Sequence, residues 1–530
     1  MFFSLPTLFS TQIEYIRGYK LHLIDMKGGI LSLLIAFLAS TVSFSQTTIK
    51  VSKENIITTN NASWEGWGTS LCWWANRIGY NPTLTKESAR LFFDKKEGLG
   101  LNIMRYNIGG GDDPTHNHIT RTDSDVPGWQ YYNAATGEYE YDYNADFRQL
   151  NVLKAASRAA GQEAYIEVFS NSPPYFMTVS GCSTGNFKAE EDNIRADAYD
   201  DFAEYLAHVT HYMMKNLRLD VRSISPMNEP NTNYWPAFNY KQEGCHIDAG
   251  ESQSKLLVET KKALTRYGID NIVLTASDET NPGKQIEEIR LMTPEARAAI
   301  NRISAHTYGT NGIRELGQLA KQENINLWMS EVDGNGTAGT DAGEMSAALW
   351  LAEKIITDIS ALKPSAWVLW QVIDTHVSKE GYKGRQDKGA LNTNGGFWGT
   401  AYANHDTEEV VLTQKYYAFG QFSRYIRPGS SLITCATERN SGIKSIAAID
   451  RKGKQITVVC TNTTAGTQEA TINLADFHNG KAVVTEIRTS GSMADGEHWN
   501  ITGRNLKMEN GIYRVQLSPN SVTTYLFTLK

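Results

Sequence analysis

The stretch Ser225-Pro226-Met227-Asn228-Glu229-Pro230-Asn231 follows a short β-prone run, Val221–Ile224, and places a glutamate directly before a proline. Because proline cannot donate a hydrogen bond within a central strand, it predicts a strand that ends here with a carboxylate. The segment 326–334 has the same form and carries Glu331 between an apolar run and turn residues. Two glutamates at the ends of two strands predict paired-carboxylate chemistry.

The same pattern of apolar strand, polar strand end, loop and amphipathic helix recurs along most of the chain. We count eight such strands, at residues 66–75, 101–107, 164–171, 221–229, 271–279, 302–309, 326–331 and 365–371. Strands that alternate with helices predict a parallel sheet, and eight units over roughly 350 residues fit a closed (β/α)8 TIM barrel. No GxGxxG or Walker A motif follows a strand, which argues against an open nucleotide-binding sheet.

The sequence changes character beyond Arg427-Pro428-Gly429. Short alternating runs separated by Gly, Asn, Asp and Ser predict a small C-terminal β-sandwich. Its strands are expected at residues 445–450, 455–461, 469–474, 482–488, 511–517 and 522–529. A short alternating segment between Ile49 and Ile57 is expected to complete the sandwich from the N-terminal side. The expected domains are therefore a signal segment (1–45), an N-terminal strand joining the β-sandwich (46–63), the catalytic barrel (64–425) and the β-sandwich (426–530).

The N-terminus has the pattern of a signal peptide. Met26-Lys27 opens a positively charged start, residues 30–42 are apolar, and the small residues at 43–45 precede Gln46. The apolar run is too short to span a bilayer as an anchor. We expect translation to begin at Met26 and the mature protein to be secreted or periplasmic, with no membrane span; a buried N-terminal helix is the alternative.

Composition and charge exclude several classes of function. Fifty-one basic residues against 58 acidic ones give a net charge of −7, which leaves no basic footprint for nucleic acid. The five cysteines form no CxxC pair, so a zinc knuckle or a thioredoxin-like site is not expected. Cys182 and Cys245 follow predicted strands and are candidates for a disulfide in an exported protein.

A loop after the second predicted strand contains acidic residues and histidines. The residues are Asp112, Asp113, His116 and His118. Their spacing fits no common ligand pattern, so the sequence predicts neither a metal site nor a cofactor.

The other strand ends carry the residues of a candidate sugar site: Arg105, Asn171, Asn228, His306, Tyr308 and Trp370. Glycoside cleavage needs one protonated carboxyl group and one ionised carboxylate. Arg105 and Tyr308 near Glu331 are expected to keep that group ionised, and a less solvated Glu229 is expected to stay protonated. Glu331 is therefore predicted to be the nucleophile and Glu229 the general acid/base.

The remaining candidates are predicted to bind substrate. Asn228 is expected to contact a sugar 2-hydroxyl, Trp370 to stack under a ring, and Trp74 on the first strand to contact sugar. Asn171 is expected to hydrogen-bond near the site. Asp278 ends the fifth strand and either contacts substrate or pairs with a neighbouring cation. Considered alone, a glutamate at a strand end is as easily explained as a salt-bridge partner. His306 alone is as easily explained as a structural histidine.

These motifs resemble those of a known family. The Asn228-Glu229-Pro230 and Ser330-Glu331 strand ends, Arg105 and the stretch 306–308 resemble the clan A retaining glycoside hydrolases, and specifically family 30, over residues 46–530. The resemblance implies that Glu229 is the acid/base and Glu331 the nucleophile. The run Gly66–Ala75 is similar to one in the endo-β-1,6-galactanase subfamily, which implies attack on the β-1,6-galactan side chains of arabinogalactan.

Other functions remain open at this point. Within the family, the alternatives are a β-1,6-glucanase or a glucosylceramidase-like enzyme, which differ in the sugar they accept. From another class, the alternative is a non-catalytic glycan-binding protein built on the same barrel. In each case the expected partner is a polysaccharide or oligosaccharide, and the chain is expected to act as a monomer.

Overall fold

The computed structural model describes residues 47–57, 63–335, 337, 339–387, 396–437 and 442–530. The expected signal segment, residues 1–45, and Gln46 lie outside the described residues. None of the helices described in these ranges is long and apolar enough to cross a membrane.

The strands, numbered in chain order, precede and follow the helices in regular alternation over the first three quarters of the chain. They are β1 (Thr47–Lys50), β2 (Gly66–Ser70), β3 (Ile103–Asn107), β4 (Gln130–Asn133), β5 (Glu138–Tyr141), β6 (Tyr165–Phe169), β7 (Val221–Ser225), β8 (Val273–Glu279), β9 (Arg302–His306), β10 (Asn326–Val332), β11 (Ala366–Leu369), β12 (Ile373–Val377), β13 (Ala401–Asn404), β14 (Glu409–Leu412), β15 (Ser431–Thr434), β16 (Ile443–Ile449), β17 (Gln455–Asn462), β18 (Gln468–Asn473), β19 (Ala482–Ser490), β20 (Glu497–Met508), β21 (Ile512–Leu517) and β22 (Ser521–Leu529).

The helices begin at recognisable signals, such as Asn81 and Asn281, whose side chains accept from the third residue beyond and precede a proline. They are α1 (Trp74–Ile78), α2 (Pro82–Ser88), α3 (Phe147–Ala160), α4 (Tyr199–Lys215), α5 (Glu251–Arg266), α6 (Pro282–Leu291), α7 (Pro294–Ala299), α8 (Ile313–Gln322), α9 (Met345–Leu362) and α10 (Gln414–Ser423).

Eight parallel strands close into a barrel in the order β2, β3, β6, β7, β8, β9, β10, β11. The barrel closes where β11 pairs with β2, with Ala366 opposite Gly66. Gly68 is required where β2 pairs with β3, because a Cβ there would lie 2.6 Å from the Cβ of Ile103. The predicted (β/α)8 TIM barrel is confirmed.

A β-sandwich follows the barrel. One sheet has the order β15, β16, β17, β22, β19, β20, and the other has the order β1, β18, β21. Strand β1 pairs in parallel with β18, and its Ile49 is fully buried in the sandwich core. The N-terminal strand thus completes the C-terminal sandwich, as the fold prediction stated.

Several features of the described chain differ from the sequence prediction. The first barrel strand ends at Ser70 and not at residue 75, since the chain turns into helix α1 at Trp74. The polar loop after β3 contains the hairpin β4–β5, and a small sheet, β12–β13–β14, follows the eighth barrel strand. Strands β15 and β20 were not predicted, because both are rich in polar residues and β20 is largely exposed. All five cysteines are free, so the candidate pair Cys182 and Cys245 does not form a disulfide in this structure.

The interior of the barrel holds an ion pair between Arg302 on β9 and Glu167 on β6. Both side chains are at most 1% exposed. The guanidinium of Arg302 also lies 3.5 Å from the ring centroid of Trp328 and donates to the hydroxyl of Tyr165 at 3.2 Å. A buried charge of this kind is stable only while its partners are present.

We expect Arg302→Met to lower the free energy of unfolding by about 3–5 kcal/mol, because it leaves Glu167 buried with less compensation. The matched control is Arg266→Met. Arg266 pairs with Glu204 at 2.6 Å, but these side chains are 51% and 40% exposed, so about 1 kcal/mol or less is expected. Urea unfolding of the three proteins measures both values, and equal losses in the two variants would contradict the prediction.

Candidate active site

The candidate site is built around the guanidinium of Arg105, which projects from β3 and is fully buried. One terminal nitrogen donates to Glu331 Oε2 at 2.7 Å, and the other donates to Asp278 Oδ2 at 2.5 Å. The Nε side faces Glu167 Oε1 at 3.3 Å. A single cation therefore connects carboxylates from three strands, β6, β8 and β10.

Glu331 lies near the end of β10, with its carboxylate surrounded by donors. Besides Arg105, the hydroxyl of Tyr308 donates to Oε1 at 3.0 Å. His306 Nδ1 lies 3.6 Å from the same oxygen. The structure therefore brings Arg105 and Tyr308 to Glu331, as the sequence predicted, and also places His306 beside them.

Glu229 lies just beyond β7, at a residue with a φ of 46°. A left-handed backbone is uncommon for glutamate, and such strained residues concentrate at functional sites. Its amide donates to the carbonyl of Asp278 at 2.9 Å, which fixes the turn. Its Oε1 lies 3.1 Å from His306 Nδ1, and its Oε2 accepts from the Tyr234 hydroxyl at 2.5 Å.

His306 on β9 is fully buried among three carboxylates. Nδ1 faces Glu229 and Glu331, while Nε2 lies 3.3 Å from Asp278 Oδ1. Burial opposes a charge on the ring, but Glu331, Asp278 and Glu229 outweigh burial and raise the pKa of His306 to about 10. His306 is therefore a cation at neutral pH. Burial would also raise the pKa of Asp278, yet Arg105 and His306 lower that pKa below its usual value.

The pKa shifts of Glu229 and Glu331 differ in direction from the expectation. Burial acts against ionisation of Glu229, but the hydrogen bond and charge of His306 lower its pKa. Burial and the charges of Glu229 and Asp278 raise the pKa of Glu331, against the opposing effects of His306 and Arg105. These two pKa directions run opposite to the expectation of a protonated Glu229 beside an ionised Glu331. The physical reason is that the cation His306 lies closer to Glu229.

The remaining predicted contacts lie on neighbouring strand ends. Asn228 Oδ1 is 3.5 Å from Arg105. The Nδ2 of Asn171 is buried and has no hydrogen-bond partner among the described residues. Trp370 is 8% exposed and belongs to a small apolar cluster that includes Phe169, whose ring lies 4.0 Å beneath the Arg105 guanidinium.

Trp74 is not at this site, and its prediction as a sugar contact is corrected. It is fully buried in the main core, with its Nε1 donating to the carbonyl of Ser70 at 2.9 Å and its ring against Phe92. The adjacent Trp73 instead packs edge to face on Trp370, at 5.0 Å between ring centroids. The two tryptophans differ because the strand ends at Ser70 and helix α1 begins at Trp74. Trp74 therefore follows the helix into the core and does not extend the strand towards the site.

Two residues of the site were missed or left open by the sequence reasoning. The sequence left open whether Asp278 contacts substrate or pairs with a cation. In the structure, Asp278 pairs with Arg105 and His306. Tyr234 was not singled out. Its position five residues after Glu229, in the loop that follows the strand, was the available signal.

Stability should depend on pH through His306. Its pKa is about 6.5 in an unfolded chain and about 10 in the folded protein. The charged ring therefore stabilises the fold fully below pH 6.5, and this contribution of up to roughly 5 kcal/mol is lost as the pH rises through 10. Urea unfolding between pH 6 and 10 should show a steeper loss for the wild type than for His306→Gln. His211→Gln on helix α4 is the control and should keep the wild-type slope; a wild-type slope in His306→Gln would contradict the prediction.

The chain is similar to known glycoside hydrolases. Residues 47–279 match the model of O-Glycosyl hydrolase family 30. The chain is 26% identical over 522 residues to an endo-beta-1,6-galactanase of Hypocrea rufa, covering 94% of this chain and 98% of the relative. It is 24% identical over 493 residues to an exo-beta-1,6-galactobiohydrolase of Bifidobacterium longum subsp. longum, covering 74% of this chain but only 32% of that longer relative.

A solved structure supports the fold. The family 30 subfamily 8 xylanase Xyn30A of Clostridium acetobutylicum superposes with a TM-score of 0.63 at 19% identity, covering 91% of this chain and 99% of that one. From the match over residues 47–279 and the two relatives, the chain is an O-glycoside hydrolase that resembles family 30.

Proposed function

We propose that the chain is an exported, retaining endo-β-1,6-galactanase that uses Glu331 as nucleophile and Glu229 as general acid/base. The observation that carries the mechanism is the spacing of the two glutamates around His306. One oxygen of each carboxylate and one nitrogen of His306 all lie within 4.8 Å of one another. Carboxyl groups about 5–5.5 Å apart are typical of retaining enzymes, whereas inverting enzymes need about 6.5–9.5 Å to admit a water.

In the first step, the Glu331 carboxylate attacks the anomeric carbon and the bond to the leaving oxygen breaks. Glu229 gives its proton to that oxygen, so that the leaving sugar departs as a neutral alcohol. In the second step, Glu229 takes a proton from water, the resulting oxygen attacks the same carbon, and the bond to Glu331 breaks. Arg105 and Tyr308 stabilise the carboxylate of Glu331 when it is released.

This cycle needs a proton on Glu229 and none on Glu331, whereas in the unliganded protein the pKa of Glu229 is lowered and that of Glu331 is raised. His306 Nδ1 lies 3.1 Å from Glu229 and 3.6 Å from Glu331, so it bridges the two. We propose that Nδ1 passes its proton to Glu229 and takes one from Glu331. Asp278 holds the other ring nitrogen in place during the exchange.

Substrate contacts are proposed for the neighbouring strand ends. Asn171 has a buried Nδ2 that can donate to a sugar oxygen, and Asn228, which precedes Glu229 in sequence, accepts from Arg105 at 3.5 Å. Tyr308 is 42% exposed while its hydroxyl remains on Glu331, so its ring is available at the entrance. Trp370, held on edge by Trp73, provides an apolar surface for a sugar ring.

The substrate proposal is supported by the relative from Hypocrea rufa, which is similar over nearly its whole length. The relative from Bifidobacterium longum subsp. longum is named for the same linkage and sugar but for release from a chain end. An exo mode is therefore the second candidate. Export is supported by the apolar run at residues 30–42, which lies outside the described residues.

A non-catalytic glycan-binding protein is disfavoured by the site itself. Burying four carboxylates with Arg105, Arg302 and His306 costs desolvation energy that simple sugar binding does not need. Such strained and charged clusters are typical of catalytic sites.

The catalytic assignment predicts different outcomes for the two glutamates. Glu229→Gln should reduce turnover by about 10²–10⁴-fold through loss of general acid/base catalysis, and Glu331→Gln should abolish it, with circular dichroism unchanged. The exposed Glu251→Gln on α5 is the control and should retain full activity. Wild-type turnover in either site variant would refute the assignment.

Added azide distinguishes the nucleophile from the general acid/base. In Glu229→Ala, azide can attack the glycosyl-enzyme in place of water and should give the β-glycosyl azide. In Glu331→Ala, azide can occupy the vacated space and should displace the leaving group of an activated β-glycoside, such as an aryl β-galactoside, to give the α-glycosyl azide, whereas the natural β-substrate should remain uncleaved. Exchange of these behaviours between the variants would reverse the roles.

The substrate proposal predicts release of oligosaccharides from de-arabinosylated arabinogalactan and little or no release from pustulan, a β-1,6-glucan. A ladder of β-1,6-galacto-oligosaccharides reports the mode. Early products of mixed length indicate endo cleavage, while galactobiose as the sole product indicates the exo alternative. Activity on pustulan alone would overturn the galactanase proposal without affecting the catalytic assignment.

A further inference from the structure

Four side chains that could bind a metal meet at the catalytic end of the barrel, outside the active site. Asp112, His116 and His118 lie in the loop after β3, and Cys182 lies in the loop after β6. One ligand atom from each lies within 4.8 Å of the others. His118 Nε2 is 2.6 Å from Asp112 Oδ2 and 3.4 Å from Cys182 Sγ, while His116 Nδ1 is 3.3 Å from Asp112 Oδ1. We call these four residues the loop cluster.

The hydrogen bonding of His118 leaves one nitrogen directed into the loop cluster. Its Nδ1 lies 2.7 Å from the carbonyl of Asn239. A carbonyl only accepts, so Nδ1 carries a hydrogen and Nε2 is the nitrogen available as a ligand. Metal-binding histidines characteristically donate their other ring nitrogen to a carbonyl or carboxylate in this way.

The sulfur of Cys182 is independently arranged as an acceptor. Cys182 is fully buried, and the amide of Phe238 donates to its Sγ at 3.3 Å. The hydroxyl of Thr184 lies 3.2 Å from the same sulfur. The amide of Phe238 therefore fixes the position of the sulfur, as outer-shell donors do for metal ligands.

From these observations we propose that the loop cluster binds one Zn²⁺ ion. Two imidazoles, a carboxylate and a thiolate are ligands that zinc accepts in a tetrahedral site. Bonds of about 2.0–2.3 Å separate tetrahedral ligand atoms by roughly 3.3–3.6 Å. The 3.3 and 3.4 Å separations already meet this requirement, and the Asp112–His118 pair must open by roughly 0.7 Å.

The ion would hold together loops that shape the catalytic face. It would join the loop after β3 to the loop after β6. A third loop, after β7, covers the cluster through Phe238, whose ring packs edge-on against His116 and His118 at 5.0 and 5.4 Å. That loop also carries Tyr234, which donates to Glu229. Zinc is therefore inferred to stabilise the substrate cleft, with no part in the chemical steps.

The sequence pattern concealed this site. Asp112, His116 and His118 fit no common ligand spacing, and the fourth ligand lies 64 residues beyond His118. Asp113, which belonged to the same sequence motif, instead accepts from the amide and hydroxyl of Thr115 and is not in the cluster.

Metal content and cobalt spectroscopy test the proposal on the full mature chain. Protein dialysed against a chelator and then titrated with ZnSO₄ should bind one equivalent of zinc and show a higher Tm, because an ion that binds only the folded state stabilises it. With Co²⁺ in place of zinc, a sulfur-to-cobalt charge-transfer band and the intense visible bands of tetrahedral cobalt should appear.

Variants assign the ligands. Cys182→Ser should abolish the charge-transfer band. His118→Asn should weaken zinc binding by more than about 100-fold, which exceeds the loss of affinity usually caused by removing an outer-shell partner. The matched control is Cys245→Ser. Cys245 is also buried, but its sulfur lies on the carbonyl of His246 and outside the cluster, so this variant should bind zinc normally. His116→Asn, at a partly exposed position, provides the same test if the buried variants do not fold.

Absence of stoichiometric zinc binding in the folded wild-type protein, or a cobalt spectrum without a sulfur band, would overturn the proposal. The loop cluster would then be an ordinary Asp112–His118 ion pair. Hydrolysis by the zinc-free protein with an unchanged kcat and a raised KM would agree with a role in holding the cleft. Complete loss of kcat on zinc removal would contradict that role, even if zinc binds.

Discussion

The structure depends on one buried cation, the guanidinium of Arg105, which joins carboxylates from three strands. Its contacts to Glu331, Asp278 and Glu167 lie between 2.5 and 3.3 Å. Arginine suits this position because its planar donors satisfy several carboxylates at once and it stays charged even when buried. Without it, the carboxylates would repel each other in a medium that screens them weakly. Arg105 thereby fixes Glu331, the proposed nucleophile, in place beside Asp278 and Glu167.

The cluster around Arg105 contains more acid than base. Four carboxylates, Glu167, Asp278, Glu229 and Glu331, face three cations, Arg105, Arg302 and His306. The excess negative charge favours retention of one proton by the glutamate pair, and the raised pKa of Glu331 reflects this. A proton retained between two acids is what a mechanism with alternating acid and base roles requires. The charge imbalance therefore supports the proposed mechanism.

The barrel, the sandwich and the central site residues were predictable from sequence because each follows from a short-range pattern. Apolar strands that end in Glu229, Glu331, His306 or Arg105 specify both the strand and the position of its last side chain. Trp74 was not predictable in this way, since strand and helix were both compatible with an aromatic run, and the end of β2 at Ser70 decides which tryptophan faces the site. Protonation was not predictable either, because it depends on a 3.1 Å contact between residues 77 positions apart.

The barrel and its loops also differ in whether local or distant contacts position their residues. Barrel residues are fixed by strand pairing that repeats regularly, whereas the loops after β3, β6 and β7 are held by single side-chain contacts such as Glu243 to the amides of Gly110 and Gly111. Catalysis needs little from these loops beyond Tyr234, but recognition of a polymer extends past the sugar being cleaved. Enzymes of one family can therefore share the paired glutamates and differ in substrate, and in this chain the specificity determinants should lie in these loops rather than on the strands.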